Sequence, residues 1–261
     1  MIVTTSWDDG HASDVKLAEL LGKYGFKGTF YLTQNSPDFP AQEALTDRQI
    51  KTLSRNHEIG AHSLNHCDLT LCSLNELRKE ILDSKNFLEK LLGKTVKLFS
   101  YPYGQYDAAV LAEVKKSGFL GARTTKNSLT YSGSPFEFNV SLAIGPMPLA
   151  RLKKIILSLP KRPSRLLLRN LVSVFKNLYF VLRHGFPLRA VFDWQVFALK
   201  SFELTRKKGG LWHLWGHAYE IEEYDFWREL EAVLKEIATQ PGILQATNSE
   251  AIELARQKRE T

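Results

Sequence analysis

The chain is predicted to be an α/β protein built on a parallel sheet. Strand-like and helix-like segments alternate through roughly the first 145 residues, a βαβα rhythm that sets successive strands parallel. Its 261 residues can bury one sizeable core and suffice for a single α/β barrel. The rhythm breaks after Gly145 and resumes at Gly209, so one inserted segment is expected before a last strand.

Each element has its own local mark. Ile2, Val3, Thr4 and Thr5 are a β-branched run that reads as a first strand, and Gly10 allows the sharp turn behind it. A helix is expected over 15–24, a strand over 28–32 and a helix over 46–55 with Thr46 as its cap. Residues 57–61 look like another short strand and bend. The clearest helix covers 73–92, with Leu74, Leu77, Ile81, Leu88 and Leu91 on one face and Gly93 closing it. A strand at 96–99, a helix at 108–117 and a strand at 119–124 follow. Residues 211–217 form the last strand, and 224–239 a closing helix.

The inserted segment, about 146–208, is broken by Pro146, Pro148, Pro160, Pro163 and Pro187 into helical pieces. Its longest piece would be capped by Ser164 and run to about His184. Arg165, Arg169, Lys176 and Arg183 then fall within about 40° of arc at 100° per residue. Leu167, Leu168, Leu171, Val174, Phe175, Leu178, Val181 and Leu182 take the opposite side. The expectation is a helix that packs this apolar side on the barrel. The competing reading is a lid or foot resting on an anionic membrane surface.

Hydrophobic content of 44% and charged content of 24% are those of an ordinary globular enzyme. The net charge of +7 is local, since residues 138–192 carry ten Lys and Arg and no Asp or Glu. Such a patch fits an anionic partner, but no nucleic-acid-binding motif accompanies it, so no nucleic acid is expected. Cys67 and Cys72 match neither a disulfide framework nor a zinc knuckle. No basic-then-apolar leader and no spanning apolar run is read, and the expected location is cytoplasmic, with a peripheral place at the inner membrane face open.

Two stretches carry chemistry. Asp8 and Asp9 stand at the end of the first strand, where one can bind a metal while the other faces a substrate. His62 and His66 are four residues apart, so on a helical turn both would project from one side and could hold one ion. Two imidazoles and a strand-end carboxylate are a ligand set of catalytic zinc sites, which keep one position open for water.

These residues resemble the polysaccharide deacetylases, the NodB-homology carbohydrate esterases. Ser6-Trp7-Asp8-Asp9-Gly10 matches the family's first motif with Trp7 as its aromatic, and His62-Ser63-Leu64-Asn65-His66 matches the second in full. Ser100-Tyr101-Pro102-Tyr103-Gly104 matches the third in part, and the strand from Leu211 to His217 the last. The resemblance covers residues 1 to about 145 and 209 to 240. It implies a distorted (β/α) barrel of about seven parallel strands, with the basic helical insertion before the last, in one domain over residues 1–261.

It also implies metal-assisted removal of an acyl group, acetyl first, from the amide nitrogen of a sugar or glycan. Asp9, His62 and His66 would hold a divalent ion, zinc for such ligands, and Asp8 would be the general base. The Tyr103 backbone N–H would bind the oxyanion, and His217 would protonate the amine. His11, Pro102, Arg123 and Trp215 are the candidate substrate contacts, with Trp212 and Tyr219 beside Trp215 as a sugar-stacking wall. His213 ranks behind His217 as the acid.

Two departures from the family stand out. Its third-motif Arg, which contacts the catalytic Asp, is Ser100 here, and Arg123 at another strand end is the candidate replacement. Its Asp that orients the catalytic His has no match, the nearest acids of that type being Asp107 and Asp193. A deformylase of lipid-linked aminosugars, a metal-free cyclic-amide hydrolase and a non-catalytic carbohydrate-binding module are the competing readings. Retention of both histidines and both aspartates disfavours the last two.

Overall fold

The computed structural model describes residues 1–128, 133–148 and 165–260, with the side chains of 165–170 and 258–260 excepted. All the strands among the described residues pair in parallel. They are β1 (Ile2–Asp9), β2 (Gly28–Leu32), β3 (Glu58–Ala61), β4 (Leu98–Ser100), β5 (Gly121–Asn127), β6 (Phe138–Val140), β7 (Leu142–Ala143), β8 (Leu211–Gly216) and β9 (Leu244–Gln245). Eight lie on one hydrogen-bonded path, β6-β5-β4-β3-β2-β1-β8-β7, and β9 pairs with β1.

The two ends of that path are the same stretch of chain. Only Ser141 separates β6, which pairs with β5, from β7, which pairs with β8. The Ser141 N–H donates to the His213 carbonyl at 2.8 Å, so residues 138–143 act as one staggered strand that closes the sheet. The result is the distorted barrel expected, with seven positions around the ring when that staggered strand is counted once.

Strand alternation divides the core in two. Val3, Trp7, Phe30, Ile59, Phe99, Trp212 and Leu214 join the large apolar cluster under the helices. The opposite faces turn into the barrel and are mostly polar: Ser6, Asp8, Thr29, Ser100, Arg123 and His213 are all buried. A small cluster of Tyr31, Leu98, Phe138, Leu211, Ala251 and Ile252 fills the N-terminal end. Its last two members come from the helix Asn248–Glu260, which no sequence pattern announced. That helix ties itself to the barrel as the Asn248 N–H donates to Thr29 Oγ1 at 3.0 Å and Asn248 Nδ2 to the Tyr31 hydroxyl at 3.1 Å.

Most expected helices stand where their caps put them. Thr46 and Ser73 each form a reciprocal capping box, with Gln49 and Glu76, ahead of Asp47–Leu53 and Leu74–Leu92. Gly93 closes the latter at φ 65°. The expected closing helix is present as Trp227–Ala238, and Asp225 at φ 53° separates it from an unexpected short helix, Ala218–Glu223. The insertion contributes Arg165–Arg183 and Trp194–Lys208, while its proposed cap Ser164 lies outside the described residues. Leu178 and Val181 of its expected apolar side do pack, but against Phe186, Ala190 and Val191 of the insertion itself, and Phe175 and Leu182 correct the expectation because both are exposed. Cys67 and Cys72 are free thiols whose Sγ atoms lie 3.6 Å apart.

Gly60 in β3 lets the Tyr31 ring lie flat on the strand, and a Cβ there would collide with that ring and approach the Leu98 carbonyl to 3.2 Å. Gly60→Ala is therefore expected to destabilise the protein by about 1–3 kcal/mol, as overpacking does, and to lower Tm by several degrees in a thermal melt.

Candidate active site

The candidate residues meet at the C-terminal ends of the strands. Asp8 and Asp9 close β1, His62 follows β3, Ser100 ends β4, Arg123 sits in β5, and His217 follows β8. By alternation Asp8 turns inward, and Asp9 would turn away beneath the helices. Asp9 instead adopts φ 80°, a left-handed conformation that brings its carboxylate to the mouth beside that of Asp8. Of the five non-glycine residues with positive φ among the described residues, Asp9, Ser63, His66 and Tyr103 belong to this mouth. Such conformations cost roughly 1–3 kcal/mol each and persist where the surrounding structure enforces them.

His62 and His66 do not lie on a helical turn, which corrects the geometry expected from their spacing. They flank a bend whose left-handed Ser63 and His66 bring the ring centroids to 4.8 Å. The bend is held by buried Glu80 from the following helix, which accepts from the Leu64 and Asn65 N–H groups at 3.0 and 2.9 Å. Glu80 was not anticipated, because nothing local to the histidines points to it.

Asp9, His62 and His66 each present a ligand atom within 4.8 Å of the others, and all three are buried. His62 Nδ1 lies 2.8 Å from the Ser100 carbonyl oxygen, which can only accept, so Nδ1 carries the proton and Nε2 is a bare lone pair. That nitrogen faces Asp9 Oδ1 at 3.5 Å, and His66 Nε2 faces the same oxygen at 3.4 Å. Asp9 Oδ1 has no hydrogen-bond partner. The bare His62 Nε2 and the unpartnered Asp9 Oδ1 face each other in a buried place, which is unfavourable unless a cation sits between them, so with His66 beside them the ligand set fits a divalent ion of the zinc type. Burial raises the Asp9 pKa, and neighbouring Asp8 adds to the rise against the pull of His217 and His66. Burial likewise pushes His62 down to about 3, which keeps it neutral.

Asp8 lies across the barrel from Arg123, and the guanidinium hydrogen-bonds its Oδ2. Burial alone would raise the Asp8 pKa, but Arg123, then His62 and His217, outweigh it and hold the carboxyl below its ordinary value. Arg123 is fully buried between the Tyr31 and Trp215 rings, 5.4 and 4.7 Å from their centroids. This corrects its expected role as a substrate contact, since it has no surface to offer one. Its guanidinium does pair with Asp8, the contact that the resemblance assigned to the missing third-motif Arg. Pro102 is also buried and presents no contact surface, whereas Tyr103 is half exposed at φ 56° with its ring 4.6 Å from that of His66.

His217 caps the short helix Ala218–Glu223 and reaches back over the mouth. Its Nε2 lies 3.7 Å from Asp9 Oδ2, and its Nδ1 donates to Glu220 Oε2 at 3.0 Å. Burial opposes protonation here, yet the Glu220 hydrogen bond with Asp9 and Asp8 pushes the His217 pKa up to about 9. Glu220 thus takes the orienting place for which only aspartates were considered. Asp107 and Asp193 cap helices instead, accepting from the Val110 and Val196 N–H groups. His213 is fully buried, contacts Ser6 Oγ at 2.8 Å and the Asn139 carbonyl at 3.0 Å, and is pushed down to about 3 by burial and by Arg123. It is a core histidine.

At the rim, Trp215 packs against His217 with centroids 5.6 Å apart, and the Tyr219 hydroxyl reaches Asp9 Oδ2 at 3.4 Å. Trp212 is buried against Phe202 and is no part of a sugar wall. His11 is held in the turn by Ser13 and Glu43, at 2.7 and 3.3 Å, with its ring against Phe39 and Tyr219.

Residues 1–122 match the family model described as polysaccharide deacetylase. A peptidoglycan-N-acetylglucosamine deacetylase of Bacillus cereus is 31% identical over 124 residues, 45% of this chain and 54% of the relative. The chain therefore spans about half of that relative's length. Across nearly the whole chain the fold is similar to that of a polysaccharide deacetylase from Mycobacterium smegmatis described as putative, with TM-score 0.66, 15% identity and coverage of 99% and 91%. It is also similar to that of a family 4 acetyl xylan esterase from Clostridium thermocellum in complex with a cobalt ion, with TM-score 0.54, 16% identity and coverage of 97% and 91%.

Because Glu220 is the largest raising influence on His217, Glu220→Gln is expected to lower that pKa in an NMR titration of the metal-free protein. A raised pKa means that the protonated imidazole stabilises the fold fully below pH 6.5, and that this contribution is lost as pH rises through about 9. The variant should accordingly show a smaller loss of stability over that window.

Proposed function

We propose that this chain, whose residues 1–122 carry a polysaccharide deacetylase domain, is a metal-dependent hydrolase that cleaves an acyl group from the amide nitrogen of an amino sugar. The observation that carries this reading is the convergence of Asp9, His62 and His66 beside a second carboxylate, Asp8, that Arg123 neutralises separately. The N-acetylglucosamine named for the Bacillus cereus relative makes acetyl the first acyl group to test. The cobalt ion of the Clostridium thermocellum esterase accords with a divalent ion held by the three ligands. When bound, such an ion supplies Lewis acidity toward the acyl carbonyl and acidifies water.

The remaining roles belong to the chain itself. Asp8, held below the ordinary carboxylate range, is ionised at neutral pH and accepts a proton from the attacking water. Such a carboxylate is always available but a weak base, so it suits water that is already acidified. The Tyr103 N–H, carried on a left-handed turn between Pro102 and Gly104, is assigned to the developing oxyanion. His217, whose pKa Glu220 and the aspartates push up to about 9 in the metal-free site, is assigned to deliver a proton to the departing amine, with Glu220 fixing Nδ1 so that Nε2 faces the cleft. Trp215 and Tyr219 offer aromatic faces at the rim for the sugar ring.

The test is acetate release from N-acetylglucosamine oligomers, which should need a divalent ion and stop on chelation. Asp8→Asn is expected to keep stoichiometric metal and lose turnover by roughly a hundred- to ten-thousand-fold, as removal of a general base does. Asp9→Asn is expected to lose the metal. Equal metal loss in both variants would contradict this division of roles.

A further inference from the structure

The helix Arg165–Arg183 carries more apolar surface than its packing uses. Its inner side joins Val181 and Leu178 to Phe186, Ala190 and Val191 in a separate small core with Phe197 and Leu204. Its outer side leaves Val172, Phe175, Tyr179 and Leu182 exposed, at 44%, 68%, 62% and 59%. Leu188 and Phe192, just beyond the helix, are 61% and 57% exposed. These six are half of the twelve large apolar side chains exposed among the described residues, gathered within one short segment.

Charge lies directly beside them. At 100° per residue, Val172, Phe175, Tyr179 and Leu182 span about 80° of the helix, and Lys176 and Arg183 occupy the adjoining arc of about 40°. Both cations are exposed, and Arg183 donates to the Tyr179 hydroxyl at 3.0 Å. No Asp or Glu occurs between Glu137 and Asp193. A helix whose outer face merely met water would carry polar residues of both signs there.

The helix also lies at the reactive end of the barrel. With Ser173, Lys176 and Phe180 it walls a cavity of about 440 Å³, closed on the other side by Asn127 at the end of β5 and by Gly145 and Pro146 after β7. No helix among the described residues is long and apolar enough to cross a membrane.

We propose that this outer face docks on an anionic lipid bilayer. Phe175, Tyr179, Leu182, Leu188 and Phe192 enter the headgroup–acyl boundary, and Lys176 and Arg183 meet lipid phosphates. The charge is what selects this partner: an apolar strip flanked by cations, in a segment with no acid, complements an anionic lipid surface. The docking does not rest on the hydrolase reading; that sugars carried on or beside the membrane would be the substrates does.

Flotation of the full chain with vesicles tests it. Phosphatidylcholine vesicles containing phosphatidylglycerol should carry the protein, pure phosphatidylcholine should not, and high salt should release much of it. Phe175→Ser with Leu182→Ser, and separately Lys176→Glu with Arg183→Glu, should each weaken binding by about tenfold or more. Both variants change exposed residues, so their melting temperatures should match that of the parent, which separates lost docking from lost folding. Equal binding to both vesicle types, or none by the parent chain, would overturn the proposal. So would a dimer in light scattering that Phe175→Ser with Leu182→Ser abolishes, since a second copy would then be the occupant of this face.

Discussion

Two adjacent carboxylates buried at one strand end are the constraint on which the rest of this site depends. Asp8 and Asp9 are 3% and 1% exposed, and two such charges cannot share a dry place without compensation. The structure separates them by backbone geometry and answers each differently. Asp8 keeps the inward direction of β1 and meets Arg123 across the barrel, 115 residues away. Asp9 is turned by its left-handed φ toward His62, His66 and His217. The opposite directions of their pKa shifts follow from this arrangement: Arg123 dominates the neighbours of Asp8, whereas burial governs Asp9.

The same logic reaches the histidines. Groups whose environments push their pKa values apart are the ones suited to distinct acid, base and ligand roles. His62 is driven to the neutral form by burial, with its proton committed to the Ser100 carbonyl, whereas His217 is held protonated by Glu220 and the aspartates. Three imidazoles thus have three environments, the third being His213, locked in the core by Ser6 and Asn139. A bound divalent cation would repel the His217 imidazolium, so ligand set and acid are coupled through Asp9, which touches both.

Much of this was legible because strand ends bring short motifs together. Residues 8–9 and 62–66 each mark a bend locally, and a parallel α/β fold gathers such bends at one face. The partners that set their geometry were less visible. Arg123 was chosen for its strand-end position, but only barrel closure shows that it faces Asp8 and is closed to substrate. Glu220 lies three residues from His217 and is legible as an i, i+3 acid at a helix start, although the family pattern points to an aspartate. Glu80 sits on the next helix with no motif around it. The strands 138–140 and 142–143 are too short for periodicity to register, although they close the barrel. In the helix Arg165–Arg183 the expected apolar side holds for Leu178 and Val181 but not for Phe175 and Leu182, because its apolar arc is wider than the contact and sequence alone cannot say which of its residues find a partner.

The most direct measurement is anomalous diffraction from crystals grown with zinc. The account requires one ion bonded to Asp9 and to Nε2 of His62 and His66 at about 2.0–2.2 Å, with Asp8 outside the ligand set and still paired with Arg123. An ion bonded to Asp8, or none at the three ligands under saturating zinc, would contradict it.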